Sequence, residues 1–89
     1  MAHLLIRHKV ADFDQWKPAY DAHQSARDNA GLKFLHLWCN EDDPGEVILL
    51  FETTDVAKAR EFINSADLKE SMQAAGVQGP PDIVFLSEK

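Results

Sequence analysis

Apolar residues cluster most densely in the middle of the chain, where they form two strand-length runs, Phe34–Cys39 and Val47–Phe51. The polar segment between the runs contains Pro44-Gly45. Proline presets φ at the second position of a tight turn, and glycine accepts the positive φ of a type II turn at the third. The pattern predicts a β-hairpin with its turn at Pro44-Gly45, which pairs Trp38 with Phe51.

Both faces of this predicted hairpin are apolar. Because side chains alternate along a strand, one face carries Phe34, His36, Trp38, Val47, Leu49 and Phe51, and the other carries Leu35, Leu37, Cys39, Ile48 and Leu50. An antiparallel sheet with one solvated face normally alternates apolar with polar residues, so this hairpin requires cover on both sides.

The segment before the hairpin predicts a strand and a helix. In the strand, His3–Val10, the residues Leu4, Ile6, His8 and Val10 share one side. Asp12 then provides an N-cap, and residues at intervals of three and four, including Tyr20 and His23, form one helical stripe that ends at Gly31. Pro18 predicts a kink within this helix, or a short first segment that hands over to a second one near residue 18.

The segment after the hairpin predicts two helices and a strand. Thr53-Thr54-Asp55 caps a helix that continues from Val56 to Ala66, and Asp67 caps a shorter helix that Gly76 ends. The last strand is Asp82–Leu86.

The element order β-α-β-β-α-β predicts a single α+β domain over residues 1–89. In the ferredoxin-like fold, one four-stranded antiparallel sheet carries both helices on one face. The other face would expose Leu5, Leu35, Leu37, Cys39, Ile48, Leu50 and either Val84 or Leu86. Because this is more contiguous apolar surface than a monomer normally shows, we expect a homodimer through the open sheet face.

Charge and hydropathy exclude two classes of partner. The formal net charge is −6, and no basic stripe occurs, so we expect no nucleic acid. No apolar run reaches transmembrane length, and Met1–Val10 lacks the apolar centre of a secretion signal, so we expect no membrane partner and a cytoplasmic location.

Several segments resemble the dimeric α+β barrel superfamily, specifically small proteins of the antibiotic-biosynthesis-monooxygenase type. They are His8-Lys9-Val10, Asp12–Trp16, Leu50-Phe51-Glu52, Ala59–Ser65 and Leu68–Met72. Some members oxidise polycyclic aromatic substrates without a cofactor, some degrade haem, and many have no established activity. The resemblance implies a ligand cavity between the sheet and its helices, and a dimer through the opposite sheet faces.

The resemblance also bears on cofactors. The haem-degrading branch uses an Asn on the first strand, a Trp late in the third strand and a His on the last helix, and here those positions are Ile6, Phe51 and Met72. We therefore expect no haem. Because no phosphate-binding loop or zinc motif occurs either, we expect no cofactor and no metal.

The candidate site consists of polar and aromatic residues on the predicted helix-facing side. His8 and His36 are the candidate catalytic residues, because a histidine can accept a proton from an aromatic hydroxyl near neutral pH. Tyr20, His23, Trp38 and Phe51 are the candidate ligand-binding residues. The predicted ligand is a small apolar or aromatic metabolite.

Three functions remain open at this point. The protein is an enzyme similar to the cofactor-independent monooxygenases, a ligand-binding or accessory module without turnover, or a purely structural association domain. The alternative to a functional role, for each polar residue, is a purely structural one: a core position with one satisfied hydrogen bond.

Overall fold

The computed structural model describes residues 1–89 and contains four strands and four short helices. In chain order they are β1 (Ala2–Val10), α1 (Phe13–Ala22), α2 (Gln24–Asn29), β2 (Leu32–Asn40), β3 (Asp43–Thr53), α3 (Val56–Ile63), α4 (Ala66–Ala74) and β4 (Val77–Ser87). The predicted sequence of strands and helical regions is confirmed.

The strands form one antiparallel sheet in the order β2-β3-β1-β4. This is the strand order of the ferredoxin-like α+β fold, so the predicted fold class is confirmed. The core lies between the sheet and the helices, where the largest fully buried apolar side chains are Leu4, Val47 and Phe51. The helices contribute Trp16 and Ala59 to this core.

The first helical region begins as predicted but breaks elsewhere. The Asp12 carboxylate accepts a hydrogen bond from the Asp14 backbone N–H at 2.9 Å and so caps α1. The helical region divides into two segments, α1 and α2, but the break falls at His23, five residues after Pro18, and α1 continues past Pro18. There the Arg27 guanidinium donates to the Tyr20 carbonyl at 2.8 Å and satisfies an acceptor near the helix end.

The second helical region also agrees with the prediction except at one cap. The Asp55 carboxylate accepts from the Lys58 N–H at 3.0 Å at the start of α3. The predicted cap of α4 at Asp67 is wrong: the Ser65 hydroxyl accepts from the Leu68 N–H at 3.2 Å, and Asp67 lies in the first turn. Gly76 has the predicted positive φ, 88°, just after α4.

The hairpin turn lies three residues earlier than predicted. β2 ends at Asn40 and β3 begins at Asp43, so Glu41-Asp42 makes the reversal, with the Asn40 side chain accepting from the Asp42 N–H at 2.9 Å. Pro44–Glu46 instead forms an irregular segment within β3, because Asn40 pairs with Asp43 while Cys39 pairs with Val47. Gly45 does not have the positive φ that the predicted turn required.

A β-bulge at Leu35 changes which side of the sheet the rest of β2 faces. Phe34 pairs with Phe51, but His36 pairs with Leu50, so Leu35 is an extra residue on β2. One extra residue exchanges the faces of every side chain after it. His36 and Trp38 therefore lie on the open face, and the predictions that they face the helices and that Trp38 pairs with Phe51 are wrong.

The open face of the sheet has an apolar centre. Leu5, Ile48 and Leu50 are half-buried on the two central strands, and β4 adds the exposed residues Val84 and Leu86. The predicted placement of Leu37 and Cys39 on this face is wrong, because they pair with the helix-facing residues Leu49 and Val47. The face keeps its apolar character, since Trp38 replaces them.

Ion pairs border this apolar centre. Arg7 contacts Asp82 at 2.9 Å, and Lys9 contacts Asp43 at 3.0 Å. These exposed pairs contribute little to stability. We expect them to affect the register of a dimer through this face more than its stability. None of the four helices combines the length and hydropathy that crossing a lipid bilayer requires.

Candidate functional site

A cavity of about 70 Å³ lies between the sheet and the helices. Its lining is mostly apolar, and 13 of its 18 residues are hydrophobic. The polar groups in the lining include the side chains of His8, His23 and Arg27 and the hydroxyl of Tyr20. An apolar cavity with a few convergent polar groups has the general composition of a small-molecule site.

His8 supplies the most unusual polar group in this cavity. The strand alternation of β1 directs its side chain toward the helices, and the residue is only 7 % exposed. Neither ring nitrogen has a hydrogen-bond partner in the chain. Burial lowers the pKa of His8 from 6.5 to about 4, because desolvation disfavours the charged imidazolium. At neutral pH, the ring therefore offers one donor and one acceptor.

A column of side chains extends from His8 across the first helical region. The indole of Trp16 meets the His8 ring edge-on at 5.5 Å and stacks on the Tyr20 ring at 4.8 Å. The other end of the column is Arg27, whose guanidinium carbon lies 3.7 Å from the Tyr20 ring centroid. Helical spacing of three and four residues places these side chains along one stripe.

Tyr20 adds a second unpartnered polar atom. Its hydroxyl is buried and has no hydrogen-bond partner in the chain. Burial raises the pKa of Tyr20, so the phenol is neutral at pH 7 and both donates and accepts. Buried polar groups are normally paired, and leaving one unpaired costs about 1–3 kcal/mol. Two such residues in one cavity indicate a place where a ligand or water completes the hydrogen bonds.

The remaining walls differ in how firmly they are packed. Phe51 and Leu49 form a floor of buried sheet residues, while His23 is half-buried at the break between α1 and α2. Helix α4 contributes Leu68, Ser71 and Met72 to the lining, and its C-cap residue Ala75 also lines the cavity. No residue of α4 is buried. The cavity is thus closed by the sheet and only thinly covered on the α4 side.

The structure separates the predicted site residues into two groups. His8, Tyr20, His23 and Phe51 line the cavity. His36 and Trp38 lie on the opposite face of the sheet, where their rings stack on each other at 4.9 Å. The predicted common pocket of all six residues is wrong, because the bulge at Leu35 turns His36 and Trp38 away from the helices.

Trp16 and Arg27 belong to the cavity although the sequence did not single them out for it. Both occupy the same helical stripe as Tyr20 and His23, so the spacing contained the signal. A Trp at this position is equally consistent with a packing anchor, and an Arg is equally consistent with a solvent-exposed charge. No group of three or more His, Cys, Asp or Glu side chains comes together in an arrangement that could hold a metal ion.

The fold is that of antibiotic-biosynthesis-monooxygenase-type proteins. A candidate antibiotic biosynthesis monooxygenase from Bordetella bronchiseptica superposes with a TM-score of 0.78 at 15 % identity, over 99 % of this chain and 96 % of that one. One from Caulobacter crescentus superposes with a TM-score of 0.72 at 16 % identity, over 99 % and 89 %. The predicted resemblance is confirmed for the fold.

The same fold also occurs in a protein that is named after a different domain. An uncharacterized NIPSNAP domain protein from Burkholderia xenovorans superposes with a TM-score of 0.67 at 9 % identity, over 100 % of this chain and 95 % of that chain. No family model matches the sequence, and no curated protein matches it. Identities this low establish the architecture and leave function to the side chains of the cavity.

Proposed function

We propose that this protein is a cytoplasmic homodimer that binds a small apolar or aromatic metabolite carrying a hydroxyl group in the cavity between sheet and helices. The observation that carries the proposal is the pair of buried, unpartnered polar groups, the His8 imidazole and the Tyr20 hydroxyl, in an otherwise apolar cavity. The Trp16 indole lies between these two groups in the column. A ligand hydroxyl would therefore pair with the His8 imidazole, while the apolar body of the ligand lies against Trp16 and Phe51.

The size of the cavity requires the site to widen on binding. Small-molecule pockets are usually about 300 Å³ or more, and a cavity of roughly 150 Å³ suffices for benzene. The 70 Å³ in the unliganded chain is smaller than either. We propose that α4 moves outward, because this wall has no buried residue and loses the least packing.

The pKa of His8 favours binding over proton abstraction. A general base works best when its pKa is near the operating pH. With a pKa of about 4 for His8 and about 10 for a phenol, proton transfer would be uphill by roughly 8 kcal/mol. In the unliganded site, His8 therefore supports the role of hydrogen-bond acceptor better than that of catalytic base.

Oxygenation is the second candidate function. The proteins from Bordetella bronchiseptica and Caulobacter crescentus with this fold are named after monooxygenases, and this favours an enzyme of that type. In that reading, His8 would hold the ligand hydroxyl while oxygen converts the phenol ring to a quinone: one oxygen atom enters the ring, the other leaves as water, and the ring itself supplies the four electrons. Substrate-dependent oxygen uptake that disappears in His8→Leu would support the enzyme, whereas binding without uptake would favour the accessory module.

The binding proposal is tested by the fluorescence of Trp16. The chain has two tryptophans, so Trp38→Phe leaves Trp16 as the sole indole. Titration of this variant with p-cresol should change the emission saturably, and toluene, which lacks the hydroxyl, should bind at least tenfold more weakly.

Matched histidine variants identify the group that recognises the hydroxyl. His8→Leu should abolish the preference for p-cresol over toluene, while His36→Ala should leave it unchanged because His36 lies on the other face. Equal binding of the two ligands, or loss of the preference in His36→Ala, would contradict the proposed site.

A further inference from the structure

Arg27 is a largely buried residue, and its guanidinium has no anionic partner. The residue is 9 % exposed, and its only side-chain hydrogen bond goes to the Tyr20 carbonyl at 2.8 Å. No carboxylate lies within 4.0 Å of it, although a guanidinium has five donors. Stacking on Tyr20 offsets part of the desolvation cost, but a buried charge is normally paired.

The acidic residues nearest in sequence form no ion pair with Arg27. Asp21 lies one turn from Lys17, which donates to both of its carboxylate oxygens at 2.7 and 2.9 Å. Asp28 is exposed and forms no ion pair. Burial lowers the pKa of Arg27, and Tyr20 and the two carboxylates, which act at longer range, only partly offset this effect.

Arg27 also lies in a wall that two concave regions share. The apolar cavity and a polar groove along α1, α2 and β2 are both lined by Tyr20, Arg27 and Leu32. The groove has three cationic and two anionic side chains, in a chain whose net charge is −6. The two lysines and two aspartates of the groove balance each other, so Arg27 itself supplies the one excess positive charge that a ligand entering from this side would meet.

We infer that the ligand of this cavity carries a carboxylate or an equivalent planar anion, which pairs with the Arg27 guanidinium while the apolar body of the ligand lies in the cavity. The inference rests on the proposed function and narrows it to amphipathic aromatic acids. Arg suits this role because its planar fork matches the two oxygens of a carboxylate, and because removal from water strengthens the pair.

The test compares acids with their neutral amides at three lengths: 4-hydroxybenzoate, 4-hydroxyphenylacetate and 4-hydroxycinnamate, each beside its carboxamide. Affinities are measured by the fluorescence of Trp16 in Trp38→Phe at pH 7. For at least one length, the acid should bind ten times more tightly than its amide. This ratio of affinities should decline by less than half between 50 and 300 mM salt, because salt screens the buried pair of Arg27 and the carboxylate only weakly.

Two variants then assign the preference to Arg27. Arg27→Met should weaken acid binding at least tenfold and amide binding much less, so that amide binding in the same variant reports an intact cavity. Arg27→Lys should keep a smaller preference for the acid, since it retains the charge without the fork. The matched control Lys33→Met, which removes an exposed cation from the groove alone, should change the ratio by less than twofold.

The outcomes separate this inference from the function on which it rests. Equal binding of acid and amide at all three lengths, or a preference that persists in Arg27→Met, would overturn the role of Arg27 and leave the binding site standing. If neither acids nor amides bind at any length, both the inference and the proposed function fail.

Discussion

At the scale of single residues, His8 is the position where burial and hydrogen bonding conflict. A neutral imidazole with two unpartnered nitrogens stabilises the fold less than an apolar side chain of similar size would. Its placement could be predicted, because alternation along β1 is regular from Leu4 to Val10. Its lack of a partner could not, since that depends on which side chains of α1 and α4 lie opposite.

The pKa of His8 gives the first prediction. The pKa is about 4 in the folded protein and near 6.5 in the unfolded chain, so between these values the unfolded state binds more protons. Stability therefore falls as the pH decreases through this window, and the contribution is fully present only above about pH 6.5. Between pH 7 and pH 4.5, the wild type should lose roughly 2–3 kcal/mol more than His8→Leu.

Urea denaturation at a series of pH values measures this difference. Carboxylates that titrate in the same range, such as Asp43 beside Lys9, are common to both proteins and cancel in the comparison. His36→Ala serves as the control for the loss of a histidine that lies outside the cavity. Parallel curves for wild type and His8→Leu would mean that His8 is hydrated in the folded protein.

His36 and Trp38 illustrate how a local irregularity defeats a residue-level prediction. Their alternation with Leu35 and Leu37 is regular in sequence, and nothing in the residue types marks Leu35 as the extra residue of a bulge. Because side chains alternate with a period of two, this single residue moved two of the six predicted site residues to the other face.

At the scale of elements, the sequence predicts the type of residue that caps each helix but not always which residue is the cap. Asp12 and Asp55 cap their helices as the sequence indicates. Before α4, both Ser65 and Asp67 are good capping residues, and the choice between them depends on where the chain leaves α3. The Ser65 hydroxyl also donates to the Phe62 carbonyl at 2.8 Å, so it serves both helices.

This double role of Ser65 provides the second prediction. Ser65→Ala should lower the free energy of unfolding by about 1 kcal/mol or somewhat more, because it removes the cap of α4. Asp67→Ala should cost only a few tenths of a kcal/mol, since Asp67 only complements the helix dipole in the first turn. Thermal denaturation of both variants gives the order directly, and a larger loss in Asp67→Ala would restore Asp67 as the cap.

At the scale of the whole molecule, the order of elements determined the fold more securely than any residue pairing. Two helical regions at the predicted places suffice to specify the ferredoxin-like arrangement, even with the hairpin turn misplaced. The open sheet face is a consequence of that arrangement. Its apolar centre of Leu5, Ile48 and Leu50 supports the proposed homodimer.

The third prediction tests this dimer with two equally exposed apolar residues. Val84 lies on the open face and is 46 % exposed, while Phe34 lies on the helix-facing side of β2 and is 49 % exposed. A lysine at either place is solvated in the monomer, but in a dimer through the open face only Val84→Lys would bury a charge.

Sedimentation equilibrium should therefore show a dimer for wild type and for Phe34→Lys, and a weakened dimer or monomer for Val84→Lys. Leu50→Lys should act in the same direction, with an additional loss of stability because Leu50 is already half-buried. A monomeric wild type would contradict the proposed dimer, and dissociation only in Phe34→Lys would place its interface elsewhere.

The central claim is that the unpartnered imidazole of His8 forms a hydrogen bond with a ligand hydroxyl. Nitrogen NMR of the four histidines measures this interaction directly. In protein labelled with ¹⁵N-histidine, p-cresol should shift the ring nitrogens of His8 saturably, while toluene should not, and the ring nitrogens of His36 should remain unchanged with both. If p-cresol binds and the His8 nitrogens do not move, the cavity does not recognise its ligand through His8 and the account is contradicted.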